Sequence, residues 1–138
     1  MKEKHKLMYM EMAEAAAKQS YAKRLQVGAI AVKEHRILSV GYNGTFPGAD
    51  NNCENLIDGK LVTKKEVIHA EMNLIYKLAR DGESGADADL FITHAPCFEC
   101  AKAILSVGFK KVWFRNEYNS DEGIQLLKAN GIDVEKVD

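Results

Sequence analysis

The sequence predicts a single α/β domain, residues 1–138, in which a mixed sheet is covered by helices on both faces. Two observations predict this class. Segments of helical and strand character follow the order α-β-β-α-β-α-β-α-β, which favours a mixed sheet with helices packed against it. The chain has 138 residues, of which 46% are hydrophobic, enough to bury the core of one such domain.

The first half of the chain begins with a helix and a β-hairpin. Residues 3–20 are rich in Ala, Met, Glu and Lys, contain neither Gly nor Pro, and predict an amphipathic helix. Residues 27–33 are apolar and predict a buried strand, which a turn at residues 34–36 joins to a strand at residues 37–42. Residues 43–58 form the longest stretch predicted to be irregular, and a loop of this length in a small domain is usually functional.

The second half alternates helices and strands. An apolar stripe at helical spacing predicts a helix over residues 67–80, and Gly82 is placed to end it. The remaining predicted elements are a strand at 90–93, a helix at 97–107, a strand at 111–114, a helix at 121–129 and a strand at 132–137.

The charge balance limits the partners that we expect. The chain carries 19 basic and 20 acidic residues, whereas a protein dedicated to nucleic acid usually has a basic excess. A small phosphorylated ligand stays possible, because it needs only one or two cations or free N–H groups. We find no secretory signal and no apolar stretch near the roughly 20 residues that cross a bilayer, so we expect a cytoplasmic protein without membrane or nucleic-acid partners.

Two short motifs carry residues that bind metals. His69-Ala70-Glu71 opens one predicted helix, and Pro96-Cys97-x-x-Cys100 opens the next. If two parallel strands end side by side, the helices that follow them start together and bring these groups to one point. One imidazole and two thiolates make three protein ligands, the number that a catalytic zinc uses when its fourth position stays open. We therefore predict a zinc site formed by His69, Cys97 and Cys100.

Glu71 supplies the second part of the predicted chemistry. Zinc lowers the pKa of a bound water to about 7, which makes hydroxide available at neutral pH. A carboxylate beside the metal can take a proton from that water, protonate a ring nitrogen and protonate a departing amine. The pattern H-x-E…P-C-x-x-C is the signature of zinc-dependent nucleobase deaminases.

Each motif alone has a simpler explanation. A lone histidine is usually a core or surface residue, a lone glutamate on a helix is usually solvated, and a C-x-x-C pair also occurs in thioredoxin-like redox proteins. Redox pairs of that kind usually follow the first strand of their domain, whereas Cys97 and Cys100 follow the third predicted strand. The joint occurrence in this order, with Pro96 before the first cysteine, favours the metal site.

When the residues that flank these two motifs are included, the sequence resembles the deoxycytidylate (dCMP) deaminases of the cytidine deaminase superfamily. The resemblance covers nearly the whole chain. The resemblance implies a three-layer α/β/α sandwich with a mixed five-stranded sheet, one catalytic Zn²⁺, and hydrolysis of dCMP to dUMP by zinc hydroxide attack at cytosine C4. The motifs that carry it are Val27-Gly28-Ala29, Gly41-Tyr42-Asn43-Gly44, His69-Ala70-Glu71-Met72-Asn73 and Pro96-Cys97-Phe98-Glu99-Cys100-Ala101-Lys102.

The resemblance also implies contacts with the substrate. Asn43 is expected to bond the sugar or base, although a turn asparagine is an equally good interpretation of this residue, and Ala70 is expected to contact the substrate. Arg24 is expected to bind the phosphate, with Tyr118 and Arg115 assisting, and surface charge is the alternative for both arginines.

Regulation and assembly are implied in the same way. The loop 44–52 resembles the region where relatives bind dCTP, with Mg²⁺, as an activator or dTTP as an inhibitor, and a homo-hexamer is common among them. The residues expected to contact such an effector are Gly44, Thr45, Gly48 and Asn52.

Two residues depart from the pattern of the family. His94 stands where relatives usually carry Leu, and we interpret it as a packing residue or an extra imidazole near the metal. Cys53 resembles a position that helps to hold a second zinc in some relatives, but without a convincing partner set we expect a free cysteine.

Three other functions remain open at this point. A tRNA adenosine deaminase shares the zinc motifs but is disfavoured by the balanced charge. A deaminase of free cytidine or guanine would differ only in lacking the phosphate contact. A non-catalytic zinc scaffold that binds nucleotides is disfavoured by Glu71, because a structural zinc needs no free carboxylate beside it.

Overall fold

The structure is a computed structural model that describes residues 1–138. Its helices are α1 (Glu3–Ala17), α2 (Ala70–Asp81), α3 (Phe98–Val107) and α4 (Glu122–Ala129). Its strands are β1 (Gly28–Lys33), β2 (Arg36–Tyr42), β3 (Gly44–Thr45), β4 (Glu54–Ile57), β5 (Lys60–Thr63), β6 (Val67–Ile68), β7 (Asp89–His94), β8 (Lys111–Asn116) and β9 (Asp133–Lys136).

A five-stranded mixed sheet forms the middle layer, in the order β2-β1-β7-β8-β9. Strand β1 runs antiparallel to β2 and β7, whereas the pairs β7–β8 and β8–β9 are parallel. Parallel neighbours need a crossover connection, and α3 and α4 provide the two crossovers. The predicted mixed five-stranded sheet is confirmed.

Helices cover both faces of this sheet and confirm the three layers. On one face, α1 packs Tyr9 and Met10 against Phe91 and Trp113, whose rings stack with their centroids 5.4 Å apart. On the other face, α2, α3 and α4 share one larger cluster. Its largest fully buried members are Leu74, Leu90, Ile92, Ile104, Val112 and Leu127. No helix combines the length and apolar character that crossing a membrane requires.

The stretch 43–58, predicted to be irregular, contains regular structure. Strands β4 and β5 form a hairpin around Asp58 and Gly59, both of which have positive φ, and β3 pairs with β6 outside the main sheet. The prediction was wrong here because the hairpin shows no alternation of buried and exposed residues, and its side chains from Asn55 to Thr63 are exposed. The antiparallel pairing of β3 with β6 joins segments that lie more than 20 residues apart in the chain, so the local sequence pattern does not predict it.

Two predicted helix limits were also wrong. Helix α1 ends at Ala17 rather than at residue 20, because the Ser20 hydroxyl donates to the Asn43 carbonyl at 2.7 Å and accepts the Ala22 N–H. Helix α2 begins at Ala70 rather than at residue 67, because Val67 and Ile68 pair with β3 and His69 has the extended backbone of an N-cap.

Candidate active site

The predicted chemical groups lie at the starts of two neighbouring helices. His69 is the N-cap of α2 and Cys97 is the N-cap of α3, while Cys100 lies in the first turn of α3. The expectation that both helices follow parallel strands of the main sheet was wrong for α2, which follows the short strand β6. Free N–H groups at helix starts stabilise thiolates, and the Cys97 sulfur accepts the Cys100 N–H at 3.4 Å.

A glycine allows α2 to start where it does. A Cβ built at Gly41 on β2 would collide with the carbonyl oxygen of Ala70 in the first turn of α2. Only a residue without a side chain lets the helix start lie directly on the sheet. The Asn73 side chain adds a bond of 2.8 Å to the Tyr42 carbonyl, which holds the same turn.

The geometry of His69, Cys97 and Cys100 fits a tetrahedral zinc. Their donor atoms all lie within 4.8 Å of one another. The His69 Nδ1 atom lies 3.2 Å from the Cys100 sulfur and 3.6 Å from the Cys97 sulfur. Zinc bonds of about 2.0–2.3 Å at tetrahedral angles place a nitrogen and a sulfur ligand about 3.6 Å apart. The structure therefore brings the three predicted ligands together in a set that suits zinc.

The two thiols differ in acidity. Hydrogen bonds from Cys100 and His69 lower the pKa of the Cys97 thiol to about 4. The interaction with Cys97 and burial raise the pKa of Cys100. The bond with Cys97 raises the pKa of His69 against the opposing effect of burial. Cys97 therefore gives up its proton more readily than Cys100, and a cation held by both sulfurs would displace both thiol protons.

Glu71 is a buried carboxyl group beside this cluster. It lies in the first turn of α2 with 4% of its surface exposed. Burial raises the pKa of Glu71 to about 7, and this is the largest effect on it. A group with a pKa near neutrality can both accept and give a proton, which general acid–base catalysis requires.

A cavity of about 480 Å³ opens above the cluster. Its walls come from the segment before β1, the ends of β2 and β7, the hairpin β4–β5 and the loop after β8. The lining residues that carry side-chain hydrogen-bonding groups or ligand atoms are Arg24, Asn43, Cys53, Glu54, Thr63, His69, Glu71, His94, Cys97, Asn116, Glu117, Tyr118 and Asn119.

Four of the residues predicted to contact substrate line this cavity: Arg24, Asn43, Ala70 and Tyr118. The Asn43 side chain accepts the Val27 N–H and donates to the Leu25 carbonyl, both at 2.8 Å, so it also holds the cavity wall together. Arg24 reaches across to the hairpin and donates to the Thr63 hydroxyl at 2.9 Å.

Arg115 is the predicted substrate residue that the structure does not bring to the cavity. Side chains alternate across β8, so Asn116 faces the cavity and Arg115 faces the α1 side of the sheet. There Arg115 lies 3.8 Å from the Glu14 carboxylate and donates to the backbone carbonyl of Asp138.

The residues predicted to bind an effector lie outside the cavity lining. Gly44 and Thr45 form β3, and the Thr45 hydroxyl donates to the Asp50 carbonyl at 2.8 Å. Gly48 has a φ of 91° in an exposed turn. The Asn52 side chain accepts the N–H of Glu54, which does line the cavity. Cys53 is buried and forms no disulfide bond.

Sequence reasoning missed several polar residues of the cavity wall, which lie at the ends of strands and in the loop after β8. The Asp58-Gly59 turn was the available signal for the hairpin that carries Glu54 and Thr63, because Asp-Gly favours two-residue hairpin turns. Asn116 ends β8, Glu117 and Asn119 follow it, and no local motif marks these three residues.

A three-layer α/β/α domain with a His-Cys-Cys group and a buried glutamate beside it defines the class of zinc-dependent deaminases. The family model for the cytidine and deoxycytidylate deaminase zinc-binding region matches residues 2–116. The chain therefore belongs to the cytidine and deoxycytidylate deaminase family.

Individual relatives agree with this assignment. ComE operon protein 2 of Bacillus subtilis is 34% identical, over 94% of this chain and 69% of that protein. The deoxycytidylate deaminase of Schizosaccharomyces pombe is 33% identical over 91% of this chain, which spans only 42% of that enzyme's length. A crystal structure of the dCMP deaminase of cyanophage S-TIM5 in complex with dCMP and dUMP is 46% identical, with a TM-score of 0.92 over 99% of this chain and 98% of that one.

Proposed function

We propose that this protein hydrolyses dCMP to dUMP and ammonia, a reaction that supplies the precursor of thymidylate. The observation that carries the proposal is Glu71, buried beside the His69, Cys97 and Cys100 group on the wall of a nucleotide-sized cavity. The similarity to a dCMP deaminase crystallised with dCMP and dUMP supports the same substrate.

His69, Cys97 and Cys100 would hold the zinc ion. When bound there, zinc activates a water molecule for attack near neutral pH. Glu71 would take a proton from the attacking water and give it to the ring nitrogen N3. It would then take the proton of the new hydroxyl on C4 and give it to the amine, which leaves as ammonia. Its burial supports this role, because a pKa near 7 suits both directions of transfer.

Recognition of the phosphate is assigned to Arg24. It is the only Lys or Arg among the residues that line the cavity, so an anionic group in the cavity has one fully charged partner there. Tyr118 lies on the same wall and can donate a hydrogen bond. Asn43 and Ala70 complete the proposed substrate contacts.

Regulation and assembly are further parts of the proposal. Binding of dCTP with Mg²⁺, or of dTTP, at Gly44, Thr45, Gly48 and Asn52 would act on the cavity through Asn52, whose side chain holds the Glu54 backbone. We propose a homo-hexamer that acts in the cytoplasm on free nucleotides, and one domain over residues 1–138.

The test is deamination of dCMP and deoxycytidine by the zinc-loaded protein, followed by ultraviolet absorbance. We expect a strong preference for dCMP. Glu71→Gln should lower kcat by roughly 10²- to 10⁴-fold while the protein keeps its zinc. The matched control is Glu99→Gln, because Glu99 stands between the two cysteines in the sequence but has a side chain that is 78% exposed and pairs with Lys102. Activity that survives Glu71→Gln would contradict the assigned role.

Arg24→Gln tests the phosphate contact. Loss of a charge-assisted bond should reduce the preference for dCMP over deoxycytidine by roughly 10-fold or more. Arg80→Gln, on an exposed part of α2, should leave that preference unchanged. Equal rates on both substrates in the unmodified protein would instead indicate a nucleoside deaminase.

A further inference from the structure

Glu54 is a buried carboxylate with one oxygen that nothing in the protein satisfies. It begins β4 and is 4% exposed. Its Oε2 atom accepts the backbone N–H groups of Lys23 at 2.9 Å and Arg24 at 3.2 Å. Its Oε1 atom is buried and has no hydrogen-bond partner. A buried carboxylate oxygen without a donor is costly, so this arrangement needs an explanation.

The free oxygen belongs to a residue of the cavity wall. Glu54 lines the same cavity as Glu71 and His69, next to the segment that carries Arg24. The final torsion of a glutamate side chain is soft, so a small rotation can turn Oε1 toward a ligand while Oε2 keeps its two backbone donors. Glu54 can therefore offer one strong acceptor to whatever occupies the cavity.

The chemistry of a nucleotide leaves one group that suits this acceptor. A phosphate is anionic and would be repelled by a carboxylate, and the ring carbonyl of cytosine is an acceptor. The exocyclic amine is a donor, but it must lie at His69 and Glu71, where it is removed. The remaining donor is a hydroxyl of the sugar, and 2′-deoxycytidine 5′-phosphate has only the 3′-hydroxyl.

We propose that Glu54 accepts a hydrogen bond from the 3′-hydroxyl of the bound nucleotide and thereby selects mononucleotides with a free 3′ end. This inference depends on the proposed function for the identity of the substrate. A nucleotide within a polynucleotide carries a 3′-phosphate ester at this point. Such a group has no proton to donate and places negative charge beside the Glu54 carboxylate.

The experiment compares kcat/KM for dCMP and for 2′,3′-dideoxycytidine 5′-phosphate, which lacks only the 3′-hydroxyl. We expect the unmodified protein to prefer dCMP by roughly 10- to 100-fold, as for a hydrogen bond to a charged group. In Glu54→Gln the preference should fall to about 3-fold or less. A general loosening of the structure would slow both substrates together and leave their ratio unchanged.

The control variant is Glu11→Gln, an equivalent change at an exposed position on α1, which should keep the full preference. A ratio near one in the unmodified protein, or a ratio that Glu54→Gln leaves unchanged, would overturn the proposal.

A binding measurement separates this proposal from the proposed function. Calorimetric titration with dUMP and with its 2′,3′-dideoxy analogue needs no turnover. If the protein binds dUMP more tightly than the analogue but does not deaminate dCMP, the reaction is wrong and the role of Glu54 stands. If it deaminates dCMP but binds both ligands equally, Glu54 does not contact the 3′-hydroxyl. Failure to bind either ligand would refute the role of Glu54.

Discussion

His94 lines the cavity and is tied to the main sheet through the Thr93 hydroxyl. The Thr93 hydroxyl accepts the Gly28 N–H at 3.1 Å and lies 3.0 Å from His94 Nδ1. The direction of the Thr93–His94 hydrogen bond depends on which ring nitrogen of His94 carries the proton. Burial lowers the pKa of His94, and the charge of Glu14 opposes this effect.

This environment predicts a loss of stability in acid. Because the pKa of His94 is lower in the folded state than the usual 6.5, the unfolded chain takes up a proton first as the pH falls. The contribution of the neutral His94 ring to the free energy of unfolding is fully present above pH 6.5, and it is lost as the pH falls from there toward the lower pKa of the folded state. We expect His94→Leu to reduce the loss of unfolding free energy between pH 7.5 and 5.5 in urea titrations. Parallel pH profiles for the two proteins would contradict this expectation.

At the scale of elements, helix α4 supports the loop that carries Cys97. A Cβ at Gly123, in the first turn of α4, would collide with the carbonyl oxygens of Pro96 and Cys97. Helix α4 therefore lies in direct backbone contact with the turn that presents the first cysteine. The contact explains why a glycine stands inside a helix, where it otherwise costs about 1 kcal/mol relative to alanine.

Gly123→Ala should separate α4 from this turn. We expect a loss of about 1–3 kcal/mol in the free energy of unfolding, as for overpacked sites, together with weaker zinc binding in competition with a chelator. Gly44→Ala is the matched control, because no atom lies within 4 Å of the position where its Cβ would be. A variant with unchanged stability and zinc affinity would show that α4 adjusts without moving Cys97.

The same elements show how far the sequence can be interpreted. The five main strands and four helices were predicted because each has an apolar pattern or a terminal glycine, such as Gly82 and Gly108, both with positive φ. His69, Glu71, Cys97 and Cys100 were predicted because their chemistry and spacing are specific. Glu54 was missed, since its burial depends on Lys23 and Arg24, which lie about 30 residues away in the chain.

At the scale of the whole molecule, the three proposed ligands connect helices that are distant in the chain. His69 belongs to the start of α2, and Cys97 and Cys100 belong to the start of α3. An ion held by all three would tie these two helix starts together in the folded state only. Ligands that bind the folded state alone stabilise it by mass action.

Removal of zinc with a chelator should therefore lower Tm by roughly 10 °C relative to the zinc-saturated protein. Added zinc should restore the original Tm. Cys97→Ser should abolish the response to zinc, because serine can keep the N-cap bond to the Cys100 N–H but is a poor zinc ligand. Thermal unfolding with and without zinc, for both proteins, is the measurement. An equal response in the variant would place the metal elsewhere.

The turn at Glu34 and His35 lies at the end of the β1–β2 hairpin opposite to the cavity. Val27 and Asn43, at the other end of the same two strands, line the cavity, and the six residues of β1 separate the two ends by about 20 Å. A fluorophore or a surface tether attached at this turn would leave the cavity mouth open to solution. The hairpin thus offers an attachment point for building the protein into a nucleotide sensor.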